Sequence, residues 1–267
     1  MDSILKAMNR ARGEPTPAPN RPQQPAVPDS TLATTPPERV VSRKVRLDRA
    51  ALVQGHVMLP RSGGAASEAY RMLRTQVLRR MEKHGISSLA VVSPMAGEGR
   101  TLTAINLAMS IAEDPDRTAM LVDLDLWSPS VATRLGIATS SGVADCLSGA
   151  RDPAEVMCRV EDCPKLVVIP GGPGSRLPSE LLAGDAARRL SEEWRSRYAN
   201  RIVVYDLPPL LATDHAIVFM PNVQAALLVI EEGSTRRDDL ARCMELLRDT
   251  PLLGTVLNRS VERPLGS

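Results

Sequence analysis

The sequence predicts an α/β fold, a mostly parallel, doubly wound sheet with helices on both faces, and three observations carry that prediction. From Gly85 onward, short aliphatic runs alternate with helical patterns. The runs are apolar at successive positions, as strands covered on both faces must be. The first run passes through a glycine-containing turn directly into a helix. At 267 residues the chain suffices for one large domain or two small ones. Only 2% of it is aromatic, so the core is aliphatic and stacking platforms for single-stranded nucleic acid are excluded. A formal charge of +2 likewise excludes a basic field of nucleic-acid size, although 29 Arg stand against 4 Lys.

Residues 1–13 read as a short amphipathic helix, with Ile4, Leu5 and Met8 opposed to Lys6, Arg10 and Arg12. Such a helix is marginal alone, so it is either a docking peptide or a frayed start. Residues 14–40 form a linker, since the eight prolines between Glu14 and Pro37 lie among residues with almost nothing to bury. Residues 41–84 form an N-terminal extension: a basic stretch, Val41 to Pro60, that wraps the following domain, then a helix from Ser67 to Lys83 that Ser67 can cap. Residues 85–267 form the α/β domain. Its strands are 88–93, 119–125, 165–170, 201–209, 224–232 and 252–258. Its helices are 101–112, 179–198 and 235–248, the second announced by Pro178-Ser179-Glu180.

No stretch approaches the roughly 18–20 apolar residues of a membrane span, and the N-terminus lacks a signal peptide's apolar centre, so a cytoplasmic protein is expected. Four cysteines without a CxxC pair and three scattered histidines favour reduced thiols over zinc or disulfides.

The chemistry gathers at strand ends, where such sheets bind ligands. The first strand runs into Ser93-Pro-Met-Ala-Gly97-Glu98-Gly99-Arg100-Thr101-Leu102 and then a helix. A glycine turn at a helix N-terminus offers backbone N–H groups and the positive end of a dipole to an anion. Thr101 stands where a P-loop places its magnesium-binding hydroxyl, while Pro94 and Arg100 replace the first glycine and the lysine of GxxxxGK[ST]. Asp123, Asp125 and Asp206 end two further strands, and carboxylates there can hold magnesium or position a nucleophile. One such acid alone would be read as a loop cap. Three beside a glycine loop read as a nucleotide site.

These residues resemble a known family. Residues 85–259 are similar to the deviant Walker-motif ATPases, and within them to the bacterial tyrosine autokinases of capsule and exopolysaccharide synthesis. SPMAGEGRTLTAINLA is similar to their Walker A, LVDLDLWSPSV to their Walker A′, and IVVYDLPPLLATDHA, with Asp214, to their Walker B. GVADCLSG, PGGPGSRLPSELL and LLGTVLNR also fit. Glu68-Ala-Tyr-Arg71-Met-Leu-Arg74 matches their ring-assembly helix, and the short helix plus proline-rich linker resembles the cytosolic autokinases of exosortase-type systems.

The resemblance implies ATP and Mg2+ as cofactors. Gly97, Glu98, Gly99, Arg100, Thr101 and Leu102 would cradle the phosphates, and Asn258 would meet the base. Thr101 would hold magnesium, with Asp206 acting through water. Asp123 and Asp125 would serve as base and supporting acid, Asp123 also counting among the metal-site residues and Arg100 among the catalytic ones. Glu68, Arg71 and Arg74 would line a homo-oligomer interface; their spacing alone reads as a solvated helix face with i,i+3 ion pairs. The implied partner is an inner-membrane polysaccharide co-polymerase, a chain-length regulator, which would hold this protein at the membrane periphery.

Three departures from the family pattern shape the expected activity. Arg100 replaces the phosphate-binding lysine, and a guanidinium is bulkier than an ammonium. Trp127 stands where the Walker A′ motif carries arginine, either removing a charge from the site or simply packing at a loop. The residues after Asn258 contain no tyrosine, where the family carries its autophosphorylated cluster. The expectation is an ATP-binding regulator of polysaccharide polymerisation and export with weak or no tyrosine autophosphorylation. The alternatives are a positioning ATPase of the MinD/ParA type, whose second P-loop lysine is missing near Ser93-Pro94-Met95, and a catalytically inactive adaptor using the same fold.

Overall fold

The computed structural model describes residues 42–58 and 62–260. The expected N-terminal helix and linker lie outside them, as do the residues after Ser260. Eight strands form one sheet in the order β1-β4-β5-β3-β6-β2-β7-β8. They are β1 (Arg43–Val45), β2 (Ser88–Val92), β3 (Thr118–Asp123), β4 (Cys158–Val160), β5 (Leu166–Ile169), β6 (Arg201–Asp206), β7 (Ala226–Glu231) and β8 (Leu252–Asn258). The six expected strands are all present and mutually parallel. Two short strands at one end of the sheet were not foreseen: β4 runs antiparallel to β5, and the edge strand β1 pairs with β4. At three residues each they carry too little pattern to be seen in sequence.

The helices are α1 (Arg49–Gln54), α2 (Ala65–His84), α3 (Arg100–Ala112), α4 (Val131–Leu135), α5 (Val143–Leu147), α6 (Pro153–Val156), α7 (Pro178–Ala183), α8 (Asp185–Ser196), α9 (His215–Phe219) and α10 (Arg237–Leu246). The helix expected over 179–198 is two, α7 and α8, divided at Gly184, whose extended backbone interrupts the helical turn. The helix expected from Ser67 starts at Ala65 instead. Ser67 is therefore not its cap; it is buried and its hydroxyl meets that of Ser62 at 2.8 Å.

Apolar side chains form one core on each face. Leu89 and Val91 of β2 join Leu52, Val77, Met81 and the buried face of α3, while Ala90 and Val92 join Leu147, Leu182, Trp194 and Phe219. This two-sided burial is why the strands read as unbroken aliphatic runs. The N-terminal extension shares the first core through Val45, Leu52, Val77 and Met81. No helix among the described residues is long and apolar enough to cross a membrane.

Helix α3 lies at the centre, with Leu102 its only residue that is not fully buried. Its polar side chains are therefore all partnered. Asn106 accepts the Met58 N–H at 2.9 Å, and the Ser110 hydroxyl donates to the Tyr70 carbonyl at 3.4 Å. Arg74 donates to the Ser110 carbonyl at 2.9 Å. The extension thus fixes the helix whose N-terminus faces the site.

Candidate functional site

The β2–α3 loop and the carboxyl ends of β3, β6 and β8 surround one cavity of about 850 Å³. Its lining includes Gly97, Gly99, Arg100, Thr101, Leu102, Asp125, Trp127, Arg134, His215 and Asn258. Gly97 and Gly99 both hold positive φ, 89° and 91°. Gly99 is the N-cap of α3 and no side chain caps that end, so the first-turn N–H groups are left for a ligand. A Cβ on Gly97 would meet nothing within 4 Å, which leaves the loop open as an anion cradle.

Glu98 does not face the cavity with its side chain. It is buried beneath the loop, accepting the Met95 N–H at 2.9 Å and the Thr235 hydroxyl. Asn258 donates to the Glu98 carbonyl at 2.9 Å. The loop is thereby latched to β7 and β8 from below. Sequence reasoning missed Thr235, for nothing local marks it.

The acids come together through sheet register. Asp123 and Asp206 are direct partners on adjacent strands β3 and β6, and Val91 of β2 pairs with Asp206. Both carboxyls are fully buried. Arg100, also buried, bridges the group, donating from Nε to Asp206 at 3.0 Å and from Nη2 to Asp125 at 2.8 Å. One guanidinium therefore serves two carboxylates, a planar two-armed geometry that lysine could not reproduce.

Asp123 lies outside that bridge. One oxygen accepts the N–H groups of Ser130 and Val131, each at 3.0 Å, and the other that of Asp125 at 3.2 Å. It caps α4, the role a strand-end acid commonly takes. Burial and the neighbouring Asp206 charge push its carboxyl up to about 8, against the pull of the Val131 N–H. Burial also raises Asp206, with Arg100 and the Thr101 hydroxyl pulling the other way.

Two features bear on whether nucleotide and magnesium suit these residues. Asp206 keeps one buried oxygen, Oδ2, with no hydrogen-bond partner, and Thr101 stands beside it. A buried unpartnered carboxylate oxygen next to a P-loop hydroxyl suits a cation. No group of three or more His, Cys, Asp or Glu among the described residues forms a metal cage. Magnesium is commonly held by one or two carboxylates plus substrate phosphates. Asp123, counted in sequence among the metal-site residues, has both oxygens committed to backbone.

Other expected residues lie elsewhere. Glu68 and Arg71 form an exposed ion pair on α2, and Arg74 is turned onto α3. Asp214 accepts the Ser179 hydroxyl at 2.8 Å at the cavity's edge. Trp127 lines the mouth and is 67% exposed, so it is no packing residue. His56, Arg134 and His215 line the cavity without having been singled out in sequence, because only tertiary packing brings them there.

Comparison with known proteins agrees with this geometry. The chain is 30% identical over 200 residues to the tyrosine-protein kinase CpsD of Streptococcus pneumoniae, covering 73% of this chain and 84% of that protein. It is 32% identical over 187 residues to the succinoglycan biosynthesis transport protein ExoP of Rhizobium meliloti, covering 67% of this chain but only 23% of ExoP. The solved kinase domain of VpsO superposes with a TM-score of 0.65 at 26% identity, over 73% of this chain and 96% of that domain. No protein-family model matches the chain.

Proposed function

The chain belongs to the bacterial tyrosine-protein kinases, and from that premise we propose that it is an ATP-binding regulator of exopolysaccharide polymerisation and export, with weak or no tyrosine autophosphorylation. The observation that carries the reading is the open glycine cradle facing a buried acid pair bridged by Arg100. The N–H groups of Gly97 to Leu102 would bind the phosphates, and Thr101 with the unpartnered oxygen of Asp206 would hold Mg2+. Bound magnesium would neutralise phosphate charge. Asp125 would hold a proton or orient a hydroxyl only after Arg100 released it, which slows turnover. That is the physical basis for the weak activity.

The tyrosines support the same reading. Tyr205 is wholly buried against Phe219, and burial raises its hydroxyl pKa far above the ordinary value. Tyr70 is half-buried on α2, and Tyr198 lies under the Arg201 guanidinium, 4.1 Å from its ring centroid. None stands on a free segment of the described residues. Action on polysaccharide is supported by the likeness to ExoP, a succinoglycan transport protein. A separate inner-membrane chain-length regulator is the proposed partner, and the exposed Glu68–Arg71 pair of α2, with Arg74 beside it turned toward α3, the proposed face between copies.

The test is incubation with labelled ATP and Mg2+, with and without the partner's cytoplasmic segment, followed by phosphotyrosine detection. ATP binding with little phosphotyrosine is expected. Strong autophosphorylation of the isolated chain would refute the regulator reading, and absence of any ATP affinity would leave the adaptor.

A further inference from the structure

The cavity holds three arginines, and their partners differ. Arg100 is tied to Asp125 and Asp206, and Arg259 to Glu231. Arg134 of α4 pairs with no carboxylate among the described residues. Its Nη1 reaches the Gly55 carbonyl at a long 3.4 Å, and its buried Nε has no partner at all. A guanidinium with spare donors, lining a cavity whose other arginines are neutralised, is a site for an anion.

The segment that positions it is built for the purpose. Helix α1 ends in a paired-bond cap, with His56 N–H donating to Val53 at 3.2 Å and Val57 N–H to Leu52 at 2.8 Å. The left-handed position of such a cap normally falls to glycine, yet here it is His56, at φ 56°. Gly55 stands one residue earlier, where a Cβ would come to 3.4 Å from the Arg134 carbonyl. Beneath it, Asp48 donates its N–H to Leu135 at 3.2 Å and packs on Gly136, where a Cβ would lie 2.3 Å from that of Asp48. A non-glycine residue in the left-handed region is uncommon, and this one lines the cavity beside Arg134.

Sheet order gives the direction. Arg134 follows β3 and Asn258 ends β8, two strands away from β2 on opposite sides, so they line the cavity from opposite flanks of the P-loop strand. We infer that Arg134, set in place by the Gly55–His56 turn, binds the terminal phosphates of a nucleoside triphosphate, supplying the positive charge that Arg100 spends on acids and that Trp127 lacks. This rests on the cavity being a nucleotide site.

The experiment is calorimetric titration of the full chain with ATP, inorganic tripolyphosphate and AMP, without magnesium and then with it. Arg134→Ala should weaken ATP and tripolyphosphate by about tenfold or more while leaving AMP and the melting temperature unchanged. Arg134→Lys should fall between, a point charge replacing a fork. Wild-type affinity for ATP and tripolyphosphate in Arg134→Ala, or an equal loss for AMP, would overturn the inference while leaving the nucleotide site intact. A wild-type protein that binds neither ATP nor AMP would overturn the nucleotide reading itself, and this inference with it.

Discussion

The two flanks of the P-loop are made of similar residues in opposite states. On the β7–β8 flank the polar groups that hold the loop are paired: Glu98 meets the Met95 N–H and the Thr235 hydroxyl, and Asn258 meets the Glu98 carbonyl. On the β3–β6 flank Arg100 serves only Asp125 and Asp206, Asp206 Oδ2 has no partner, and burial holds the Asp123 carboxyl well above the usual carboxylate range. The satisfied flank is scaffold, because completed hydrogen bonds leave nothing for a ligand to improve. The unsatisfied flank is where binding of a cation or phosphate releases free energy.

Four measurements would break or sharpen that contrast. The largest effect is expected at Arg100. Arg100→Ala leaves Asp125 and Asp206 buried without their cation and should cost about 3–5 kcal/mol of stability in urea unfolding with chelator present. A cost below about 1 kcal/mol would show that the acids are already neutral. Next is Gly99→Ala, where the new Cβ would lie 1.9 Å from Asn258 Nδ2. Loss of the latch plus a left-handed alanine should cost about 2–3 kcal/mol, against about 1 kcal/mol for Gly97→Ala, which has room but the same backbone strain. A double-mutant cycle with Asn258→Ala should recover the difference.

The third concerns pH. The Asp123 carboxyl is pushed up from 3.8 to about 8, so between those values the folded state binds the proton that the unfolded chain releases. Stability on this account declines as pH rises from 4 to 8 and is level above. In chelator the melting temperature should fall as pH rises across that window, and Asp123→Asn should flatten the decline. The smallest effect belongs to the exposed Glu68–Arg71 pair, where Glu68→Gln should change monomer stability by less than about 0.5 kcal/mol in thermal melts. A larger change would mean that the pair does more than decorate a surface helix.

How much was legible can be judged residue by residue. The aliphatic runs were found because burial on both faces writes hydrophobicity into every position of a strand. The three-residue β1 and β4 left no such trace, and the break at Gly184 lay inside a pattern that reads as one helix. Asp123, Asp125, Asp206 and the glycine loop were found because strand ends concentrate chemistry. Their division of labour was not: nothing in the sequence says that Asp123 turns to the α4 backbone while Asp206 faces Arg100.

By itself the sequence determined the sheet, the loop and the acids, since each is encoded by neighbours along the chain: apolar periodicity, a glycine before a helix, a carboxylate after a strand. Tertiary structure alone decided which acids Arg100 neutralises, that Glu98 serves as a latch, and that His56 and Arg134 join the cavity. Those outcomes depend on the register of β3 against β6 and on how the extension docks on α4, contacts between residues about 80 to 140 positions apart, where electrostatics and packing act through space rather than along the chain.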